Sequence, residues 1–168
     1  MKDMSRRSFL KAGTAATAAL AMAPADVLGK AKSKKKAQTG KIKILAVGVG
    51  GRGHAVINGI TFKGKDEIYD DIEFIGMCDV DQKYAKGVID KYKKLFPNMK
   101  VYNDYKKMYA ELLDQADAVV CGTADHTHAI ISAEALAAKK HVYCEKPLTR
   151  TVYESRLLTK LAAQAGVA

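Results

Sequence analysis

The sequence predicts an α/β fold, a doubly wound parallel sheet, over residues 41–168. Short apolar runs rich in β-branched residues alternate there with stretches of helical periodicity. The first apolar run passes directly into a glycine-spaced turn, and a carboxylate follows the second run. Strands that alternate with helices form parallel sheets with helices on both faces. These 128 residues are enough for one such domain with its own core.

The first predicted strand and its turn are residues 41–53, KIKILAVGVGGRG. The nearly unbroken apolar run is typical of a strand covered on both faces. Gly48, Gly50 and Gly53 then form the motif G-x-G-x-x-G, and we expect residues 54–60 to form a helix. In a dinucleotide site these glycines permit the tight turn, the approach of a pyrophosphate and the close packing of helix on strand. An ordinary glycine-rich loop is the alternative, but the strand before it favours a Rossmann-type dinucleotide-binding domain.

The second predicted strand, residues 72–77, ends in the acidic turn C-D-V-D. A carboxylate at this tip is what a dinucleotide fold uses to hold the adenosine ribose hydroxyls. Asp79 is the first choice for that carboxylate and Asp81 the second, while helix capping is the alternative role, for Asp81 especially. Because a negative charge here repels a 2′-phosphate, the predicted cofactor is NAD rather than NADP.

The remaining predicted elements continue the alternation of helices and strands. After a polar loop over residues 61–71, they are a helix over 82–96, a strand over 100–102, a helix over 105–113 capped by Asp104, a strand over 116–122, a helix over 129–138, a strand over 141–144, and a helix over 152–165 with Leu157, Leu158 and Leu161 facing inward. We find no internal repeat.

Residues 1–29 do not read as part of this fold. Arg6 and Arg7 stand in an S-R-R-x-F-L-K setting, and a weakly apolar stretch follows over residues 12–23. This segment resembles a twin-arginine export signal, an address read by a receptor rather than an anchor. Its apolar part is shorter than the roughly 18 residues that span a bilayer. We therefore expect the export machinery as a partner, a periplasmic location and no stable membrane anchor; a basic start to a cytoplasmic protein is the alternative.

A basic linker over residues 30–40 accounts, with the leader, for most of the net charge of +10. Residues 1–40 hold nine of the 28 Lys and Arg and two of the 18 Asp and Glu. The folded part keeps 19 basic and 16 acidic side chains, a balance of only +3. Nucleic-acid binding would need a basic patch on the folded part, so we expect none.

Two further polar stretches follow the fourth and fifth predicted strands. Residues 123–128 read T-A-D-H-T-H, and residues 145–147 read E-K-P. Both lie at the carboxyl ends of parallel strands, where open α/β sheets bind ligands. His126 and His128 could bind a metal, but two histidines without further ligands indicate one poorly. We expect no metal, and leave helix capping and cofactor or substrate contact open for them.

Together with V-G-V-G-G-R-G and C-D-V-D, these stretches resemble the Gfo/Idh/MocA oxidoreductases, and the run KKHVYCEKPLTRTVYESRLL is similar to that family's most recognisable segment. The resemblance covers residues 41–168. It implies hydride transfer between nicotinamide and a hydroxyl of a sugar or sugar derivative. It also implies a second, α+β domain that supplies most of the substrate pocket and that this chain lacks. We therefore expect a dinucleotide-binding domain truncated at its C-terminal end, in a truncated or partial chain whose full-length form could be a homo-oligomer.

The resemblance also assigns roles to individual residues. It places Lys146 by the nicotinamide, with Pro147 fixing the backbone behind it, and a lysine beside a hydroxyl could orient it or take its proton. His128 keeps the histidine of the family's T-P-x-x-x-H pattern, although Ala124 replaces the proline. The predicted catalytic residues are Lys146 and His128. The predicted cofactor contacts are Gly48, Gly50, Gly51, Arg52, Gly53, Asp79, Thr123, Ala124, His126, Glu145, Lys146 and Pro147.

Two other functions stay open. Some exported relatives hydrolyse glycosides by transient oxidation with bound NAD, although the retained E-K-P motif favours a dehydrogenase. A noncatalytic nucleotide-binding remnant is the third alternative.

Cys78, Cys121 and Cys144 all fall near strand ends. Disulfides are open to an exported protein, but buried strand cysteines more often pack as small apolar residues, so we expect reduced thiols.

Overall fold

The structure, a computed structural model, describes residues 40–65 and 67–168. The predicted export signal, residues 1–29, and all of the linker except Gly40 lie outside the described residues. None of the described helices is both long enough and apolar enough to cross a membrane.

Five strands form one sheet in which every neighbouring pair is parallel. They are β1 (Ile42–Val47), β2 (Ile72–Cys78), β3 (Lys100–Tyr102), β4 (Ala118–Cys121) and β5 (His141–Cys144), in the spatial order β3-β2-β1-β4-β5. This is the predicted doubly wound sheet. The strand order reverses between β1 and β4, and such sheets bind ligands in the crevice at that reversal.

Helices connect the strands. They are α1 (Gly51–Thr61), α2 (Lys86–Leu95), α3 (Tyr105–Leu112), α4 (Asp125–Ala137) and α5 (Val152–Ala165), with a 3₁₀ turn at Leu113–Gln115. The carboxylate of Asp104 accepts the backbone N–H of Lys106, which confirms the predicted cap of α3. Helix α5 opens with a capping box in which Thr151 and Glu154 accept each other's backbone N–H groups.

The core lies on both faces of the sheet. Along β1, Ile44 and Ala46 face one apolar cluster and Leu45 and Val47 face the other. Side chains of α1 and α2 complete the first cluster, and side chains of α3 and α4 complete the second. The uninterrupted apolar run of β1 therefore has the predicted cause, a strand buried on both sides.

Some predicted boundaries are wrong. Helix α1 begins at Gly51 instead of residue 54, so the last part of the glycine motif is already helical. Helix α2 begins at Lys86 instead of residue 82, and residues 82–85 form turns. Helix α4 begins at Asp125 instead of residue 129. Its polar first turn carries no apolar periodicity, which is why the sequence pattern favoured a loop there. Strand β4 is two residues shorter at its start, and one at its end, than predicted.

Candidate functional site

The loop that follows β1, here called the glycine turn (residues 48–53), is shaped by close backbone contacts. Gly48 has a φ of +74°, and a Cβ there would lie 2.6 Å from the backbone nitrogen of Thr123. A Cβ on Gly53 would lie 1.8 Å from the carbonyl oxygen of Gly48. Any other residue at either position would collide with backbone. The glycines thus let the turn close on itself and against the segment after β4.

The N-terminus of α1 is left open by this arrangement. Its N-cap residue, Gly50, makes no side-chain cap, and the first turn holds no acidic residue. The first amides of a helix lack intrahelical partners and carry a partial positive charge. A diphosphate fits such a cradle because it supplies the missing acceptors without a side chain in the way.

Asp79 is tied to the same turn. Its Oδ2 accepts the backbone N–H groups of Val49, at 2.9 Å, and Gly50, at 3.0 Å. Its Oδ1 accepts the N–H of Asp81 at 3.0 Å. An ionised carboxylate has about four lone-pair sites, so further acceptor capacity remains at the tip of β2. Asp81 instead accepts the N–H of Tyr84 at 3.0 Å, inside the turn that precedes α2, so it does not cap α2, whose N-cap is Ala85.

Tyr84 is a site residue that the sequence interpretation missed. Its side chain is 70% exposed, yet its ring stands against the glycine turn, since a Cβ on Gly50 would lie 2.7 Å from two ring carbons. Sequence patterning placed it only within a helix. An exposed aromatic residue shortly after the acidic turn was the available signal.

The segment after β4, here called the β4–α4 turn (residues 123–128), brings Thr123 against Gly48. Ala124 is the N-cap of α4 and carries no side-chain cap. The Oγ1 of Thr127 donates to the Oγ1 of Thr123 at 2.8 Å, which fixes the turn. His126 is exposed on the first turn of α4, with its backbone N–H on the Asp125 carboxylate.

His128 is buried, with 1% of its surface exposed. Its Nε2 lies 2.9 Å from the carbonyl oxygen of Thr123, and its Nδ1 lies 2.7 Å from that of Pro147. The ring therefore braces the β4–α4 turn against the segment after β5. A direct catalytic role for His128 stays a prediction; the observed geometry is that of a brace.

The segment after β5, here called the E-K-P loop (residues 145–147), carries a buried carboxylate and an exposed lysine. Glu145 is 5% exposed, and its Oε1 lies 3.3 Å from the Nε of Arg52. Its backbone N–H donates to the carbonyl oxygen of Cys121 at 2.9 Å. Lys146 is exposed. The Arg52–Glu145 ion pair thus joins the glycine turn to the E-K-P loop.

Taken together, the predicted site residues fall on neighbouring strand ends. The glycine turn, the β4–α4 turn and the E-K-P loop touch one another through Gly48, Arg52 and His128, and Asp79 bonds the glycine turn from the far side. Lys146 and His126 are exposed, and their predicted contacts with the cofactor and the substrate stay predictions.

Comparison with known proteins decides the family. A family model described as an oxidoreductase family with an NAD-binding Rossmann fold matches residues 42–168. The chain belongs to the Gfo/Idh/MocA oxidoreductase family. A second model, for the signal sequence of the twin-arginine translocation pathway, matches residues 3–23. This signal directs export across the membrane to the periplasm.

The relatives of this Gfo/Idh/MocA protein include a glycosyl hydrolase and a dehydrogenase. A glycosyl hydrolase family 109 protein of Shewanella baltica (strain OS195) is 30% identical over 92% of the chain and 36% of its own length. An inositol 2-dehydrogenase of Salmonella typhimurium is 28% identical over 56% of the chain and 27% of its own length.

Among solved structures, the WlbA dehydrogenase of Chromobacterium violaceum, in complex with NADH and UDP-GlcNAcA, has a TM-score of 0.62 and 26% identity. The match covers 76% of this chain and 33% of that one. The chain therefore spans about a third of the length of these two proteins.

Proposed function

We propose that this Gfo/Idh/MocA chain is the NAD-binding part of an exported oxidoreductase that transfers a hydride between nicotinamide and a hydroxyl-bearing carbon of a sugar or sugar derivative. The observation that carries the proposal is the open diphosphate cradle of the glycine turn, joined by the Arg52–Glu145 ion pair to the loop that holds Lys146. Family membership supports the reaction class.

The uncapped start of α1, with no acidic residue in its first turn, suits the diphosphate of NAD. When bound, NAD supplies the hydride acceptor or donor. Gly48, Gly50, Gly51, Arg52 and Gly53 would hold its diphosphate against the first amides of α1. On the other side of the crevice, the predicted nicotinamide-end contacts are Thr123, Ala124, His126, Glu145, Lys146 and Pro147.

Preference for NAD over NADP is part of the proposal. Asp79 stands at the tip of β2 and keeps acceptor capacity beyond the bonds it makes to the glycine turn. Ribose hydroxyls donate to such an acceptor, whereas a 2′-phosphate brings negative charge against it. The nearby carboxylate of Asp81 adds to the repulsion.

Lys146 is the proposed catalytic residue and His128 a positioning residue. The ammonium group of Lys146 is exposed at the E-K-P loop, where it could hold the substrate oxygen or receive its proton. The ring of His128 holds the carbonyl of Pro147, next to Lys146 in the chain, and so fixes where the lysine backbone lies.

The substrate is proposed only by class. The WlbA structure contains UDP-GlcNAcA, and the Salmonella relative is named for inositol. Both are polyhydroxylated rings with an oxidisable secondary alcohol, which supports a sugar-like substrate here. The chain spans about a third of the length of these relatives. We expect an α+β domain to complete the substrate pocket, and a full-length form could be a homo-oligomer.

A second candidate is glycoside hydrolysis through transient oxidation with tightly held NAD. It is favoured by the family 109 relative, which matches 92% of the chain, against 56% for the inositol dehydrogenase. The test uses a chain extended by its second domain, assayed with aryl glycosides and with free sugars. NADH formation from a free sugar supports the dehydrogenase. Phenol release without added NAD and without net NADH overturns it.

If the extended chain shows neither dehydrogenase nor glycosidase activity, the protein is a noncatalytic nucleotide-binding remnant. The extended chain would then bind NAD and turn over nothing. A calorimetric titration with NAD, run on the same preparation, separates that result from a protein that has lost the site.

A further inference from the structure

Two cysteines lie side by side beneath the site without a part in the proposed function. Cys121 ends β4 and Cys144 ends β5, and the two are partners in the parallel register. Neighbouring strands are about 4.8 Å apart, inside the range of roughly 4.4–6.8 Å that Cα atoms of disulfides span. Both sulfur atoms and a ring nitrogen of His128 lie within 4.8 Å of one another.

The ring of His128 forms the third side of this cluster. Its two nitrogens lie 2.7 Å from the carbonyl oxygen of Pro147 and 2.9 Å from that of Thr123. The ring is thereby held in place beside the two sulfur atoms.

Cys121 has the surroundings of a thiolate. Its Sγ lies 3.4 Å from the Oγ1 of Thr123, a hydroxyl group that is able to donate to a sulfur. The neighbouring thiol of Cys144, together with the Thr123 hydroxyl, outweighs burial and lowers the pKa of Cys121 to about 6. The neighbouring sulfur of Cys121, together with burial, raises the pKa of Cys144.

Cys78, by contrast, is buried at the end of β2, and burial raises its pKa to about 12. It belongs to neither the sulfur pair nor the cluster with His128, and so provides an internal control. Cys144 is partly exposed and lines a cleft of about 370 Å³ with Leu148 and Thr159, which gives small reagents a route to its sulfur.

We propose that Cys121 and Cys144 form a redox-active pair that closes a disulfide across the ends of β4 and β5, with a low-molecular-weight disulfide as the oxidant. The twin-arginine signal sends the chain to a compartment where disulfides persist. The bond would tie together the strand ends that carry the β4–α4 turn and the E-K-P loop.

The chemistry balances in two exchange steps. The thiol of Cys144 passes its proton to the adjacent sulfur of Cys121, and the resulting Cys144 thiolate attacks the oxidant RSSR. A mixed disulfide forms, and the released RS⁻ takes that proton from Cys121 and leaves as RSH. The thiolate of Cys121 then attacks the Cys144 sulfur, the bond to R breaks, and the second RS⁻ leaves and takes a proton from water. The two cysteines lose two electrons, and RSSR gains them as two RSH.

The test counts free thiols. The folded, chelator-treated chain is equilibrated with oxidised or with reduced glutathione, acid-quenched, unfolded and alkylated with iodoacetamide, and its intact mass is measured. We expect three labels after reduction and one after oxidation, with the remaining label on Cys78 by peptide mapping. Three labels after oxidation, or glutathione held on a cysteine without an internal bond, would overturn the proposal.

Matched variants sharpen this count. Cys78→Ser should go from two labels to zero, because the pair is intact. Cys144→Ser should keep the label on Cys78 and form no internal bond. Thermal unfolding of each variant shows whether it folds.

The metal content of the protein before chelation tests the alternative, that Cys121, His128 and Cys144 bind a metal ion. One tightly bound zinc per chain, lost in Cys121→Ser and accompanied by resistance to oxidised glutathione, would also overturn the proposal. None of these measurements depends on NAD binding.

Discussion

Replacing Gly50 by valine should remove NAD binding and leave the fold intact. A Cβ at this position points toward the ring of Tyr84, at 2.7 Å, and the Oδ2 of Asp79, at 3.5 Å. The ring of Tyr84 is the exposed end of a flexible side chain and can move aside. The backbone of Gly50, with φ of −75° and ψ of 171°, is in a region that valine adopts readily. The branched side chain would instead fill the space beside Asp79 that the diphosphate and ribose need.

The expected size of the effect follows from the bonds lost. Hydrogen bonds to a charged group contribute about 1.5–3 kcal/mol each, and we expect at least two from the first turn of α1 to be lost. That loss is about 3–6 kcal/mol of binding free energy, which raises the dissociation constant for NAD by roughly 150-fold to more than 10⁴-fold. Valine in place of glycine at an N-cap costs about 1 kcal/mol of stability, a fall of several degrees in the melting temperature.

Isothermal titration calorimetry with NAD measures the binding, and circular dichroism during heating measures the fold. Gly53→Ala is the contrasting variant, because its Cβ would lie 1.8 Å from the Gly48 carbonyl oxygen and must disturb the packing of α1. Tyr84→Ala, combined with Gly50→Val, removes the collision with the ring. If folded Gly50→Val bound NAD within a few-fold of the parent, the diphosphate would not cross the glycine turn and the cradle would be misassigned.

Three further predictions concern the other predicted residues. Asp79→Ala should weaken NAD binding by about 1.5–3 kcal/mol and narrow its advantage over NADP, with Asp81→Ala as the control; equal NAD and NADP affinities in the parent chain would refute the role. Lys146→Ala should leave NAD affinity within about tenfold and lower turnover of an extended chain by roughly 100-fold or more, and near-normal turnover would remove Lys146 from catalysis. Changing Arg6 and Arg7 to lysine should trap the protein in the cytoplasm, since the receptor reads the guanidinium pair; unchanged recovery from the periplasm would contradict this.

Local sequence patterns were enough for the sheet and for the glycine turn. The apolar run of β1 is buried on both faces as predicted, because a central parallel strand has no solvated side. The third glycine of the motif was predicted from the need for close packing, and Gly53 lies against the Gly48 carbonyl as that need requires. In both cases neighbours in sequence carry the physical constraint.

Contacts between distant segments could not be predicted in this way. Arg52 and Glu145 are 93 positions apart, and no local pattern links a residue of the glycine motif to a glutamate after the fifth strand. The bracing position of His128 depends on the carbonyl of Pro147, nineteen residues away. The pairing of Cys121 with Cys144 follows only from the register of β4 and β5.

Direct titration of the folded chain with NAD tests the central claim, that residues 41–168 form a nucleotide site by themselves. Calorimetry should give saturable binding of one NAD per chain, with NADP weaker, and a melting temperature that rises with NAD concentration, because a ligand that binds only the folded state stabilises it. A chain that unfolds cooperatively on heating, yet shows neither binding heat nor any rise in melting temperature at millimolar NAD, would contradict the account.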